Sequence, residues 1–126
     1  MAPPVLRTVH DAATLLRPRF AGCTAERLAA AYCDRSRGLL GILIRDGNDV
    51  AVDLPVRAIL TEALRLDAAG LVLAHCHPSG DPEPSAVDIA STRRLHDAAS
   101  ALEIRLHDHL IFADGVFRSF RAMGLL

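Results

Sequence analysis

His75, His77, Ser85 and Asp88 fall in one short stretch, His75-Cys76-His77-Pro78-Ser79-Gly80-Asp81-Pro82-Glu83-Pro84-Ser85-Ala86-Val87-Asp88. Alternate side chains of a strand share a face, so His75 and His77 project together if they end one. Two imidazoles so spaced are able to hold one zinc ion, with room for a carboxylate and a water. Pro78, Gly80, Pro82 and Pro84 stiffen the loop that follows. A helix starting at Ser85 carries Asp88 on its first turn, where it completes a three-ligand set. Three protein ligands with a fourth position open is the catalytic rather than the structural arrangement of zinc. Ser85-x-x-Asp88 is equally a helix capping box, in which the serine caps and the acid offsets the positive helix end. The two roles are compatible, because a capping box holds both side chains in place.

The elements that must position these residues are legible in outline. Gly70-Leu71-Val72-Leu73-Ala74 is a continuous apolar run leading into His75, the pattern of a central strand. The end of such a strand in an open α/β sheet is where ligands tend to bind. Ala86 to Leu102 reads as the longest helix, apolar at Ile89, Ala90, Leu95, Ala98, Ala99 and Leu102. Pro55 to Asp67 is an amphipathic helix, with Val56, Ile59, Leu60 and Ala63 on one face. Arg57, Thr61, Glu62 and Arg65 lie on its other face. His10 to Phe20 is helical, with Asp11 as its cap and Pro18 disturbing its end, and Met1 to Val5 forms a loose end. Leu39 to Ile44, between Gly38 and Asp46-Gly47, reads as a buried strand. Ile104 to Phe112 and Val116 to Phe120 read as strands joined by an Ala113-Asp114-Gly115 turn. Thr24 to Cys33 is ambiguous: its alanines favour helix by propensity, but the segment is short and runs into a polar turn. The order of elements is that of a layered α/β domain.

Bulk composition narrows the function. The chain has 126 residues, 51 % of them apolar, enough for one folded domain with a real core. No apolar stretch approaches the roughly 18 residues of a membrane span, and no signal-like segment opens the sequence. A cytoplasmic protein without membrane contact is expected. Cys23, Cys33 and Cys76 are an odd number without paired spacing, which argues against disulfides and fits a reducing compartment. The net charge is -1, so no global positive field favours nucleic acid. All 14 basic residues are arginine, which excludes Schiff-base chemistry and a P-loop lysine.

The pattern H-x-H-P-S-G-D-P-x-P-S-x-x-D resembles the zinc motif of the JAMM (JAB/MPN) metalloprotease superfamily, in the form found in bacterial RadC-type proteins. Arg57 with Glu62-Ala63-Leu64-Arg65-Leu66, then Leu73-Ala74-His75, resembles that family's helix and strand leading into the site. Leu106 with Asp108-His109-Leu110-Ile111, then Ser119-Phe120, resembles its closing hairpin. The resemblance runs from about Asp11 to the C-terminus and implies a three-layer, mixed-sheet JAB/MPN domain of cytidine-deaminase-like architecture. It implies a single domain over residues 1–126, without the N-terminal helix-hairpin-helix region of full-length RadC-type proteins. It also implies that Thr24 to Cys33 is a strand and that Glu26, eight residues before Asp34, is the general acid/base. By its own spacing Glu26 is a surface carboxylate at an element start, and Glu62 and Glu103 are its rivals.

What the resemblance implies is a zinc-dependent metallopeptidase or isopeptidase-like hydrolase acting on a peptide or protein. Zn2+ held by His75, His77 and Asp88 lowers the pKa of a bound water toward about 7. Glu26 then takes and returns a proton, and the Ser85 hydroxyl stabilises the oxyanion. An inactive JAMM-fold module that binds a protein partner is the alternative from another class, and a DNA-repair accessory is a minor one. A zinc nucleobase deaminase needs a P-C-x-x-C ligand pair, which this sequence lacks. Cys76 stands where RadC-type proteins commonly carry asparagine; it is expected to point away from the histidines as a packed, inert residue. His107-Asp108-His109 is a second H-x-H, expected to be structural rather than a second metal site, with Asp108 orienting a zinc-bound imidazole. Cys23 and His96 read as an ordinary core residue and surface residue.

Overall fold

The protein is described as a computed structural model covering residues 3–46 and 54–126. Its elements are α1 (Val9–Leu16), a 3₁₀ turn (Arg17–Phe20), β1 (Arg27–Cys33), β2 (Leu39–Asp46), α2 (Val56–Arg65), β3 (Gly70–Cys76), α3 (Ala86–Ala101), β4 (Arg105–Ala113) and β5 (Val116–Ser119). The strands form one mixed sheet in the order β2-β1-β3-β4-β5. β1 is antiparallel to β2 and β3, β4 is parallel to β3, and β5 returns antiparallel to β4. The parallel pair requires a crossover, which α3 provides.

Helices cover both faces of the sheet, giving three layers. On one face Ile59, Leu60 and Ala63 of α2 and Leu95 and Ala99 of α3 pack on Leu28, Tyr32, Leu71, Leu73 and Leu106. On the other, Leu6, Ala12, Ala13, Leu16 and Phe20 pack on Ala29, Ala31, Val72, Ala74, Leu110 and Phe112. This double cover explains why β3 is apolar without alternation. It also decides the ambiguous segment. Arg27–Cys33 is a strand despite its alanines, and Leu28 through Cys33 are all buried. Small side chains suit a strand closed over on both faces, and Tyr32, the large one, donates its hydroxyl to the Ile59 carbonyl at 2.7 Å. Tertiary packing overrides helix propensity here.

Several local expectations are corrected. Thr8, not Asp11, caps α1; Asp11 is the third residue of a capping box whose two bonds are both 3.1 Å. The helix stops at Leu16 and gives way to the 3₁₀ turn that contains Pro18. On α3 the buried residues are Ser91, Thr92, Leu95 and Ala99, whereas Ala90 and Leu102 are exposed. β2 is an edge strand and only partly buried. Its Asp46-Gly47 turn falls partly outside the described residues, as do Met1 and Ala2 of the N-terminal segment, where Val5 bridges to Gly38 and Leu6 is buried. The last hairpin turns on two residues, Asp114 and Gly115, both at positive φ, between the paired Ala113 and Val116.

The cysteine expectation is overturned. Cys23 and Cys76 form a disulfide, with Cα atoms 6.6 Å apart, and Cys33 is free and buried. Fifty-three residues separate the pair in sequence, so no spacing rule could reveal it. Antiparallel pairing of β1 with β3 brings the segment leading into β1 against the end of β3. Cys76 does lie on the face opposite the two histidines, among the α1-side core, but it is bonded rather than inert.

Candidate metal centre

The C-terminal end of β3 delivers His75 and His77 to the same face, and the loop returns the chain to α3. Gly80 adopts φ +85°, a conformation that glycine alone takes without strain, and its N–H donates to the His77 carbonyl at 3.1 Å. Glu83 in that loop pairs with Arg118 of β5. Ser85 then caps α3: its hydroxyl accepts from the Asp88 N–H at 3.0 Å, and the Asp88 carboxylate accepts from the Ser85 N–H at 2.8 Å. The capping box places one carboxylate oxygen 3.2 Å from His77 Nε2 and the other 3.5 Å from His75 Nε2. The two imidazole Nε2 atoms are 2.9 Å apart.

One donor atom from each of His75, His77 and Asp88 therefore converges within 4.8 Å, and the three residues form a group able to hold a metal ion. Among the described residues this is the one such group. The donor set suits a borderline divalent cation with nitrogen and oxygen preferences. Both rings are held from behind. His77 Nδ1 donates to the Asp81 carbonyl at 2.8 Å, and His75 Nδ1 lies 2.6 Å from Nε2 of the buried His109. Each thereby presents Nε2 to the centre, the outer hydrogen bonding that metal-ligating histidines usually have.

The electrostatics agree with a cation-seeking site. Burial pushes the Asp88 carboxyl upward, but hydrogen bonds from His75, His77 and the Ser85 N–H outweigh it and hold the group well below the usual carboxylate range. The hydrogen bond to Asp88 raises His77 against the opposing effect of burial, helped by the Asp81 carbonyl and by the negative charges of Asp88 and Glu26. Burial, and then the neighbouring His75, push His109 far below the ordinary imidazole value.

Of the other expected residues, Glu26 is half-buried just before β1 and close enough to act electrostatically on His77. The β1–β3 ladder ends with Leu28 paired to His75, two residues short of Glu26. Glu26 also lines a cavity of about 360 Å³ with Cys23, Thr24 and Cys76. A second cavity of about 640 Å³ reaches His77 and Pro78 past Phe112 and Gly115. The rivals are placed elsewhere: Glu62 is paired with Arg65 on α2, and Glu103 is in the turn after α3. His96 faces Asp97 at 3.3 Å.

Asp108 does not orient an imidazole. Its carboxylate accepts from Ser119 Oγ at 2.5 Å, the Arg121 N–H at 3.1 Å and the His109 N–H at 2.7 Å, tying the C-terminal hairpin together. The reason is a bulge: Leu71 pairs with Leu106 but Val72 pairs with Asp108, leaving His107 extra. Side-chain parity inverts there, so Leu106 and His109 both face α3. His107 and His109 hence do not share a metal. His109, backed by Thr92 Oγ1 at 2.7 Å, is the residue that sequence reasoning missed. The second H-x-H drew attention to the right tripeptide and, through the unseen bulge, to the wrong member of it.

Comparison with known proteins agrees with this geometry. The profile of the RadC-like JAB domain matches residues 6–125. A UPF0758 protein of Rhodobacter capsulatus is 54 % identical over 106 residues, covering 80 % of this chain and 48 % of its own length. One from Shouchella clausii is 35 % identical over 123 residues, covering 96 % and 53 % respectively. One from Aquifex aeolicus is 38 % identical over 122 residues, covering 96 % and 52 %. The chain spans about half the length of the curated relatives it matches. With the three-layer fold, the His-His-Asp group and a profile match over nearly its whole length, the chain belongs to the RadC-like JAB domain family.

Proposed function

We propose that the chain is a zinc-dependent hydrolase of amide bonds, a metallopeptidase or isopeptidase whose substrate is a peptide or protein. The observation that carries this reading is the convergence of His75 Nε2, His77 Nε2 and an Asp88 oxygen within 4.8 Å. His75, His77 and Asp88 would hold the zinc, which would supply a Lewis acid and lower the pKa of a bound water. Glu26, whose negative charge acts on His77, would accept the water proton and return it to the departing amine. Ser85 accepts the Asp88 N–H at its oxygen, so its hydroxyl hydrogen is left to donate to the oxyanion. The adjoining cavities beside Glu26 and His77, which share Phe20 to Thr24 as lining, give a substrate room next to the site. A net charge of -1 offers little support for DNA as the partner.

Two measurements test it: zinc per chain by elemental analysis, and cleavage of a peptide library before and after chelation. One zinc per chain and chelator-sensitive cleavage are expected. Glu26→Gln is expected to keep the zinc and lose about 10²–10⁴-fold in rate, the usual worth of a general acid/base. Stoichiometric zinc without any chelator-sensitive cleavage would instead make the domain a binding module.

A further inference from the structure

We infer that His109 and Thr92 are positioning residues for the metal centre, forming a buried relay that decides which ring nitrogen of His75 carries its proton. The inference rests on His75 being a metal ligand, as proposed above, and not on turnover. His75 turns Nε2 toward His77 and Asp88, at 2.9 and 3.5 Å. A neutral imidazole that offers Nε2 to a metal must carry its proton on Nδ1. That Nδ1 lies 2.6 Å from His109 Nε2, which must then accept. The His109 proton is consequently on its own Nδ1, 2.7 Å from Thr92 Oγ1, and the threonine oxygen accepts it.

The same three side chains also support the reverse order. Thr92 then donates to His109 Nδ1, His109 Nε2 donates to His75 Nδ1, and the His75 proton moves to Nε2, where it blocks ligation. Both orders contain two neutral rings and one hydroxyl; no proton is gained or lost. His77 has no such choice, because its partner is the Asp81 carbonyl, which can only accept. His109 is 0 % and Thr92 1 % exposed, so bulk water cannot replace either partner. The His109 ring is stacked on Phe120, with centroids 4.5 Å apart and planes 16° apart, which holds its orientation. A core position so enclosed would accept leucine if packing were its whole purpose.

The test uses zinc alone as the probe. Affinity is measured by competition with a chromophoric chelator, and ring protonation by long-range ¹H–¹⁵N correlation spectra of the zinc-loaded, unsubstituted protein. His109→Leu is expected to weaken zinc about 10–100-fold, the usual cost of removing a ligand's hydrogen-bond partner. Thr92→Val, nearly isosteric, should weaken it roughly tenfold, and Thr92→Ser should restore it. His109→Gln, whose amide oxygen can stand in for Nε2 as acceptor, should recover part of the loss. The spectra should show His75 and His109 both protonated at Nδ1. Parental zinc affinity in Thr92→Val, or a zinc-loaded His75 protonated at Nε2, would overturn the relay. Where His109→Leu does not fold, the spectra of the unsubstituted protein decide. Intact relay signatures without peptide cleavage would sink the hydrolase reading alone, and a chain that binds no zinc would overturn both.

Discussion

At the scale of single residues, the second H-x-H shows how neighbours in sequence acquire unrelated duties. His107 is half-buried beside Arg37, Arg105 and Arg121. A Cβ on Gly70 would run into its ring and would meet the Arg105 carbonyl oxygen at 2.9 Å, so glycine is what lets β3 begin beside β4. Burial first, and then the three guanidinium groups, depress its pKa to about 4. The unfolded chain, with an ordinary value of 6.5, takes up the proton earlier as pH falls. Stability attributable to a neutral His107 is thus full above pH 6.5 and is lost as pH falls from there toward about 4. At 1.36 kcal/mol per pKa unit the loss reaches at most about 3 kcal/mol. In denaturant unfolding between pH 4 and 7, the parent should lose stability relative to His107→Gln as pH falls, because the glutamine cannot take up the proton. A pH-independent difference between the two would count against it. His109 shifts in the same direction, which is why the difference between proteins, rather than the parent slope, is the measurement.

At the scale of elements, what was legible in the sequence was whatever is encoded locally. The Pro- and Gly-rich loop, the Ser85-Asp88 capping box and the alternation of His75 and His77 are all short-range patterns, and together they bring three residues into a group able to hold a metal ion. β1 was not legible from its own residues, because Ala29, Ala30 and Ala31 make a strand only when layers close over both faces. The bulge at His107 was equally hidden, since it belongs to the pairing of β4 with β3 rather than to β4 itself. The Cys23–Cys76 bridge is the third such case. It joins the segment before β1, which also carries Glu26, to the end of β3 between the two histidines. Thiol titration of the unfolded protein should find one reactive group without reductant, Cys33, and three after reduction. Cross-linking residues separated by 53 positions constrains the unfolded chain, so reduction or Cys23→Ser should cost about 2–4 kcal/mol in denaturant unfolding. Three free thiols in the native preparation would remove the bridge from the account.

For the whole molecule, the centre is a junction between layers. His75 belongs to the sheet, His77 follows directly on its strand and Asp88 belongs to the helical layer above it, and Thr92 on the same helix reaches back through His109 to His75. Metal binding at such a junction should stabilise the folded chain as a unit, because the unfolded chain does not bring the three donors together. With free zinc at about 100 times its dissociation constant, linkage gives about 2.7 kcal/mol. At roughly 3–5 °C per kcal/mol for a domain of this size, Tm should rise by about 10 °C. Ser85→Ala and Asp88→Ala separate this effect from helix capping, because both break the box but only one removes a ligand. In the absence of metal Ser85→Ala should lose about 1 kcal/mol, the usual worth of a cap, and Asp88→Ala more, because it also gives up its contacts with His75 and His77. Ser85→Ala should keep the full zinc-dependent rise, whereas Asp88→Ala should lose most of it. Thermal unfolding of the three proteins with excess chelator and with excess zinc reads the two terms separately. A parent Tm that ignores zinc, or a zinc response that survives Asp88→Ala unchanged, would mean that the layers are held together without the metal.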